Sequence, residues 1–307
     1  MELRHLRYLV AVVEEGTVTA AAERLHVAQP GVSAQLRQLE REIGEPLLAR
    51  SSRGMAVTEA GAAVLPFARA ALAAVEGARL AVDELKGLVR GQVRVGMAPS
   101  LAATDLPELL AEFRAAHPAV EVSLREGTSA ELLAGLVDGM VDLVWAGIAE
   151  EPPEGVAYRV VTEQALVAVG WPPVGAGLGG VGSGGVGSGG VGGPRSGSVT
   201  VAELVGAPLM CMAEGSGPRA AFDAACVRAG VQPRIAFEAG DPLLLARLAA
   251  RGLGVAVLPE GAVRAAGVEL DPVGITPETT SRIVLAWRGS GPTSPAARAV
   301  IALARRS

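Results

Sequence analysis

The stretch VAQPGVSAQLRQLE, residues 27 to 40, sets a proline and a glycine directly before a strong helical pattern. No other feature constrains the fold of this chain as much. Proline is costly inside a helix but fits the first turn, where its missing N–H has no partner to lose. A helix therefore begins here, with Ala28 and Gln29 in the capping positions, and runs to Gly44. Val32, Leu36, Leu39 and Ile43 fall at intervals of four, three and four, so they share one side and leave Gln29, Ser33, Gln35, Arg37 and Arg41 outside.

Two helices precede this one. Leu3, Leu6, Leu9, Val10 and Val13 form a core-facing stripe that Gly16 ends, and Thr17 or Thr19 can cap a second helix in VTAAAERLHV. Its Ala21, Ala22 and Leu25 point inward, and the small alanines let a neighbouring helix cross closely. Two helices joined by a short turn, the second with hydrogen-bonding groups near its start, read as a helix-turn-helix. Glutamine, serine and arginine donate and accept at the reach that base edges in a major groove require. Taken alone, exposed Gln and Ser are more often simply solvated, so the flanking residues decide. EPLLARSSRGMAVTEAG follows Gly44 as a turn and a β-hairpin that places Arg50 and Arg53 for phosphate contact. Residues 1–60 hold seven arginines against eight acids and the whole chain carries a net charge of −5, so placement rather than bulk charge makes the case.

At this point the sequence closely resembles the winged helix-turn-helix of LysR-type transcriptional regulators. The resemblance rests on Ala21-Ala22, Leu25, Gln29-Pro30, Ser33, Leu39-Glu40, Gly44, Leu47, Arg50, Thr58 and Gly61, all in one register. It implies that Gln29, Pro30 and Ser33 lie at the base-reading end of the recognition helix, with Arg50 and Arg53 on the wing; Gln35 and Arg37, left outside by the apolar spacing, are further candidates for DNA contact. Glu40 is implied to face the protein rather than DNA. Two positions depart from the pattern: Ala28 stands where a hydroxyl residue is usual, and Leu48 where phenylalanine is usual.

From Glu59 to about Leu88, Leu65, Ala68, Leu72, Val75, Ala78, Val82, Leu85 and Val89 recur in steps of three and four, as a helix-pairing seam does. About 30 residues extend about 45 Å, and the reading is a dimerisation linker that Pro66 bends near its start. A long helix packed within one domain is the alternative. Beyond Arg90 strands and helices alternate: QVRVGMA, LPELLAEFRAAHP, VEVSLREG, SAELLAGLVDG, MVDLVWAG. This order predicts a parallel, doubly wound sheet, and a second such run follows from about Tyr158.

The expected fold class is α/β overall. By resemblance it comprises a winged helix-turn-helix (1–58), a linker helix (59–89) and a two-lobed, periplasmic-binding-protein-like (type 2) effector domain (90–307). Lobe 1 is expected at about 90–160 and 268–307, and lobe 2 at about 161–267. Residues 174–198, VGAGLGGVGSGGVGSGGVGGPRSGS, repeat GGVGS with too few large side chains to offset ordering, and read as a flexible insertion. The G-x-G-x-x-G beginning at Gly177 lies within this repeat without a following helix and is dismissed as a dinucleotide motif.

Ligands of open α/β sheets sit beyond strand ends at helix N-termini, which favour anions. Ser100, Ser129 and the GSGPR loop with Gly215, Ser216 and Arg219 meet that description; each serine is alternatively a plain N-cap and Arg219 alternatively solvated. Catalytic signatures are missing: the single Lys86 fits no P-loop, no G-x-S-x-G occurs, and the three histidines lack nucleophile partners. His5, His26 and His117 are too scattered for a metal site and read as surface or capping residues, and Cys211 and Cys226 read as two buried thiols. No cofactor or metal is expected. The first 20 residues fit neither a signal peptide nor a membrane span. The expectation is a cytoplasmic regulator, not an enzyme, whose partners are double-stranded promoter DNA, a small-molecule effector, RNA polymerase and further copies of itself as a homodimer or homotetramer. A solute-binding protein is the rival reading; it leaves residues 1–60 unexplained.

Overall fold

The computed structural model describes residues 1–51, 54–85, 89–99, 106–171, 197–267, 269, 271–289 and 294–305. The N-terminal unit packs three helices, α1 (Leu3–Glu15), α2 (Val18–Arg24) and α3 (Gln29–Ile43), against an antiparallel hairpin, β1 (Leu48–Ser51) and β2 (Gly54–Val57). Gly16 and Gly44 end α1 and α3 in the left-handed conformation that glycine adopts without a Cβ penalty. Thr17 caps α2, its Oγ1 accepting from the Ala20 N–H. Leu9, Val12, Ala21, Val32 and Leu39 are fully buried in a shared core. Ile43 does not join them: it lies exposed in the last turn of α3, just before the Gly44 cap. His5 is buried rather than superficial, and its Nδ1 accepts from the Glu2 N–H at the start of α1.

Helix α4 (Glu59–Leu85) is a single helix through Pro66. By length and apolar composition alone it resembles a membrane span. Its packing argues otherwise, because Leu65 and Ala68 are buried in the N-terminal core. Leu80, outside the expected seam, is buried too, while Val75 and Val82 of the seam are exposed. The first half of the stripe is thus buried on the domain that the helix leaves, which leaves the second half for another helix.

The remaining chain forms one mixed sheet, with one hydrophobic core in the first lobe and two in the second among the described residues. In the first lobe β3 (Gly91–Met97), β4 (Val120–Glu126) and β5 (Leu143–Ile148) run parallel, with α5 (Leu106–Ala116) and α6 (Ser129–Val137) in the connections. The long β6 (Val156–Val169) then crosses to the second lobe. There, β7 (Ser198–Thr200), α7 (Val201–Leu204), β8 (Leu209–Met212), α8 (Gly217–Ala229), β9 (Ile235–Ala239), α9 (Pro242–Ala250), β10 (Val255–Pro259), α10 (Glu260–Ala265) and β11 (Val273–Thr276) follow in order. The chain returns along β12 (Thr280–Arg288) and closes with α11 (Pro295–Ala304).

The principal strand order is β4-β3-β5-β12-β6-β10-β8-β9. The sheet is not wholly parallel, because the two crossing strands β6 and β12 pair antiparallel with each other and with their neighbours. Two boundaries also shift. β11 pairs with β6 and β7 and buries Val273 and Ile275 in a core of the second lobe, so the return to lobe 1 begins at β12 rather than near 268. Ser198 belongs to β7 instead of the glycine-rich insertion, most of which lies outside the described residues.

Candidate nucleic-acid interface and ligand cleft

Helix α3 begins as its sequence requires, with Ala28 at the N-cap in an extended conformation and Pro30 in the first turn. Ala28 offers no side-chain acceptor to the helix end. Between α3, the start of α2 and the wing lies an open groove of about 490 Å³, lined by Gln29, Ser33, Arg37 and Arg50 together with Thr17 and Thr19. Gln29 Nε2 donates to Ser33 Oγ at 3.1 Å, an i,i+4 bond that orients the glutamine along the groove. Pro30 is exposed on the same turn. Arg37 and Arg50 are exposed and form no ion pair with a carboxylate among the described residues. Glu40 also lines the groove, but its Oε1 accepts from the backbone N–H groups of Leu47 (2.9 Å) and Leu48 (3.3 Å), which ties it to the protein as expected.

The wing is fixed by close backbone approaches. Met55 N–H donates to Gly16 O at 2.9 Å, and a Cβ on Gly54 (φ +122°) would stand 2.6 Å from that oxygen, so only glycine fits. Thr58 Oγ1 donates to Pro46 O and accepts from Gly61 N–H, while a Cβ on Gly61 would lie 2.1 Å from Leu47 O. These contacts give Thr58, Gly61 and Leu47 a physical reason within one corner of the fold.

Gln35 departs from expectation. It is half-buried outside the groove, and its Oε1 is buried without a hydrogen-bond partner. The cause is helical geometry: Val32 and Leu39 stand three residues before and four after it, so it flanks the buried stripe. Arg53 lies outside the described residues. The groove also contains Thr17 and Thr19, which the sequence marked only as caps; their place beside the recognition helix follows from tertiary packing.

The second candidate site lies where the lobes meet. Thr128 caps α6, its Oγ1 accepting from Glu131 N–H and its own N–H donating to Glu131 Oε2 at 2.9 Å; these bonds hold the Glu131 carboxyl below its usual pKa. Ser129 follows in the first turn, buried, with its Oγ lacking a hydrogen-bond partner. Facing it, Ser216 caps α8 by accepting from Arg219 N–H, and Gly215 (φ +80°) accepts from Ala130 N–H at 3.0 Å across the lobes. Pro99 of the first lobe and Gly240 of the second also approach: a Cβ on Gly240 would lie 3.7 Å from Pro99 Cγ. At Gly217 the approach is closest: a Cβ there would lie 2.1 Å from the Gly147 carbonyl carbon. Ser129, Gly215 and Ser216 are therefore brought together, while Ser100 lies outside the described residues.

Arg219 is neither solvated nor free to hold a ligand. Its guanidinium is bonded to Asp223 (2.9 Å) and Glu238 (2.7 Å), and reaches Met212 O at 3.4 Å. The Arg219 guanidinium holds the Glu238 carboxyl below its ordinary value, with help from the Glu214 backbone. Nearby, burial pushes the thiols of Cys211 up to about 12 and of Cys226 up to about 11, so both stay protonated at neutral pH. No cluster of three metal-ligating side chains occurs among the described residues.

Comparison with known proteins matches both regions. Residues 3–62 fit the bacterial regulatory helix-turn-helix of the lysR family, and residues 86–173 and 193–307 fit the LysR substrate binding domain. The nitrogen assimilation regulatory protein nac of Escherichia coli is 33% identical over 266 residues, covering 86% of this chain and 80% of that protein. The HTH-type transcriptional regulator AlsR of Bacillus subtilis is 31% identical, with 85% and 82% covered. Among solved structures, a full-length OxyR variant from Pseudomonas aeruginosa superposes with a TM-score of 0.73 at 22% identity, over 99% of this chain and 94% of that one. CbnR in complex with its target DNA superposes at 0.58 with 24% identity, over 100% and 99%. A solute-binding protein is not favoured, since the helix-turn-helix match has no place in one. The groove and a two-lobed substrate-binding-domain fold thus occur together in one chain, and that chain belongs to the LysR family of DNA-binding transcriptional regulators with an effector-binding domain.

Proposed function

We propose that this regulator reads promoter DNA with Gln29, Pro30, Ser33 and Arg37 in the major groove, and holds flanking phosphates with Arg50 and Arg53. The observation that carries this reading is the groove itself, where Arg37 and Arg50, without a carboxylate partner among the described residues, flank an oriented Gln29–Ser33 pair. The uncapped amide end of α3 adds a partial positive charge for phosphate. Gln35 has no part in base reading. Exposed Val75, Ala78 and Val82 on α4 supply the surface for a second copy, as a homodimer or homotetramer in the cytoplasm, and two recognition helices then meet two half-sites.

The effector is a small molecule with a hydrogen-bond-accepting group, a carboxylate being the simplest, bound between the starts of α6 and α8 against Ser129 Oγ. It acts by binding one arrangement of the lobes more tightly than the other, which changes DNA or RNA polymerase engagement. Footprinting of the full chain on the DNA upstream of its own gene tests the first part: a protected, salt-sensitive site is expected, and absence of protection at every salt concentration overturns it. A thermal-shift screen of small carboxylates tests the second; stabilisation should be lost in Ser129→Val, and retention of the full shift rejects this site.

A further inference from the structure

We propose that α6 is a rod that carries the state of the cleft to the linker helix, with Arg69 as the positioning residue that receives it. The inference rests on the reading of residues 90–307 as an effector-binding unit and adds the route by which that unit acts.

The two ends of α6 touch different things. At its start, Ala130 N–H donates to Gly215 O of the opposite lobe at 3.0 Å, and Thr128 lies beside the same glycine. At its far end the chain turns at Gly139 (φ +70°), and this turn is clasped between α4 and β12. A Cβ on Gly139 would stand 3.5 Å from Arg69 Cβ and 3.2 Å from an Arg288 guanidinium nitrogen. The nine residues between span about 13 Å. Leu132, Leu133 and Leu136 are buried in the first core, so the helix moves as one close-packed body rather than bending.

Arg69 is suited to receive such a movement. Its Nε is buried with no hydrogen-bond partner, so packing rather than a directed bond holds the side chain there. Its neighbour Ala68 is buried in the core of the DNA-reading unit, as is Leu65 one turn earlier. Eleven residues on, Leu80 packs against Gly91 at the start of β3 and gives α4 a second seat on lobe 1. A small slide of α6 at Gly139 therefore pushes the part of α4 that is built into the helix-turn-helix unit, while Leu80 holds the other part. This is a shear between packed helices, the kind of shift that reorients domains.

The test locks the lobes in the closed contact described above, without an effector. In Ala130→Cys/Gly215→Cys the new Cβ at 215 would lie 3.3 Å from that of residue 130, close to the usual disulfide span of about 3.5–4.5 Å. Native Cys211 and Cys226 are buried and protonated, so oxidation selects the introduced pair. Hydrogen exchange over residues 64–74 and affinity for the upstream DNA are read in the full chain, oxidised and reduced. Closure should change exchange across 64–74 and shift DNA affinity about fivefold or more. Adding Arg69→Ala should preserve the exchange change in α6 and abolish both distal effects, with affinity in the reduced state near that of the parent. Unchanged exchange across 64–74 on closure, or an equal change in the Arg69→Ala background, overturns the proposal. If cysteine at the left-handed position 215 prevents folding, Ala130→Pro, which removes the interlobe N–H and loosens the contact, is compared with the parent by the same two measurements: a change in exchange across 64–74 and in DNA affinity that Arg69→Ala abolishes is expected, and unchanged exchange there overturns the proposal. A protein that binds no DNA in either state defeats the regulator reading instead, and the exchange result still decides the role of α6.

Discussion

Arg50 and Arg219 both stand beside a helix start, and both carry the charge that an anionic partner needs. Arg50 is exposed in the wing with no carboxylate bonded to it among the described residues, whereas Arg219 is mostly buried between Asp223 and Glu238. The contrast teaches that a cation is available for recognition only when the protein has not already neutralised it. It also separates the two sites chemically. In the reading proposed above, the groove of α3 offers free charge to a polyanion, while the meeting of the lobes offers a small ligand only the buried Ser129 hydroxyl.

The largest effect that would sharpen this contrast is on sequence selectivity. Gln29→Ala should cost about 1–3 kcal/mol of discrimination between the operator and a base-substituted site. Ser33→Ala should lose part of that, because it frees the Gln29 amide that it now orients. Equal discrimination by parent and variants, in competition gel shifts, removes the base-reading assignment. Next comes Arg50→Ala, which should weaken all DNA sequences alike and lower the slope of log K against log salt by about one phosphate contact. An unaltered slope breaks the comparison at its first limb.

Arg219→Ala should leave DNA affinity and salt slope untouched and cost about 1 kcal/mol of stability, since both partner carboxylates are largely solvated. A changed salt slope would mean that Arg219 does meet an anion after all. The same variant has a pH signature. Glu238 has a folded pKa below its unfolded one, so the pair adds stability above about pH 4.3 and loses it as pH falls through the folded value. Denaturation curves of parent and Arg219→Ala should therefore differ at pH 7 and converge at acid pH; a gap that persists there assigns the effect to packing. Smallest of all, the native protein should show negligible alkylation of Cys211 and Cys226 at neutral pH, with reaction only on unfolding.

The N-terminal unit was legible because its information is local. A stripe at three- and four-residue spacing, a proline in a first turn and glycines at helix ends each specify structure within a few residues, and they placed α3 with its groove-lining Gln29, Ser33 and Arg37. The same locality misled at Gln35, where polarity suggested exposure although its neighbours Val32 and Leu39 are buried. In the C-terminal unit the strands and helices were readable, but the antiparallel crossing of β6 and β12 joins residues more than a hundred positions apart. Asp223, four residues after Arg219, was a visible sign that the arginine had a partner on its own helix; Glu238 was not, because only the β8–β9 pairing brings it near.

The contact between Gly217 and Gly147 has a practical consequence. Main chain meets main chain there, and the first carbon of any side chain at 217 would need the place that the Gly147 carbonyl occupies. A single methyl group would act as a doorstop, holding the halves of the sensor ajar whatever metabolite is present. The transcription level of a strain carrying Gly217→Ala would then reveal which posture its promoters obey.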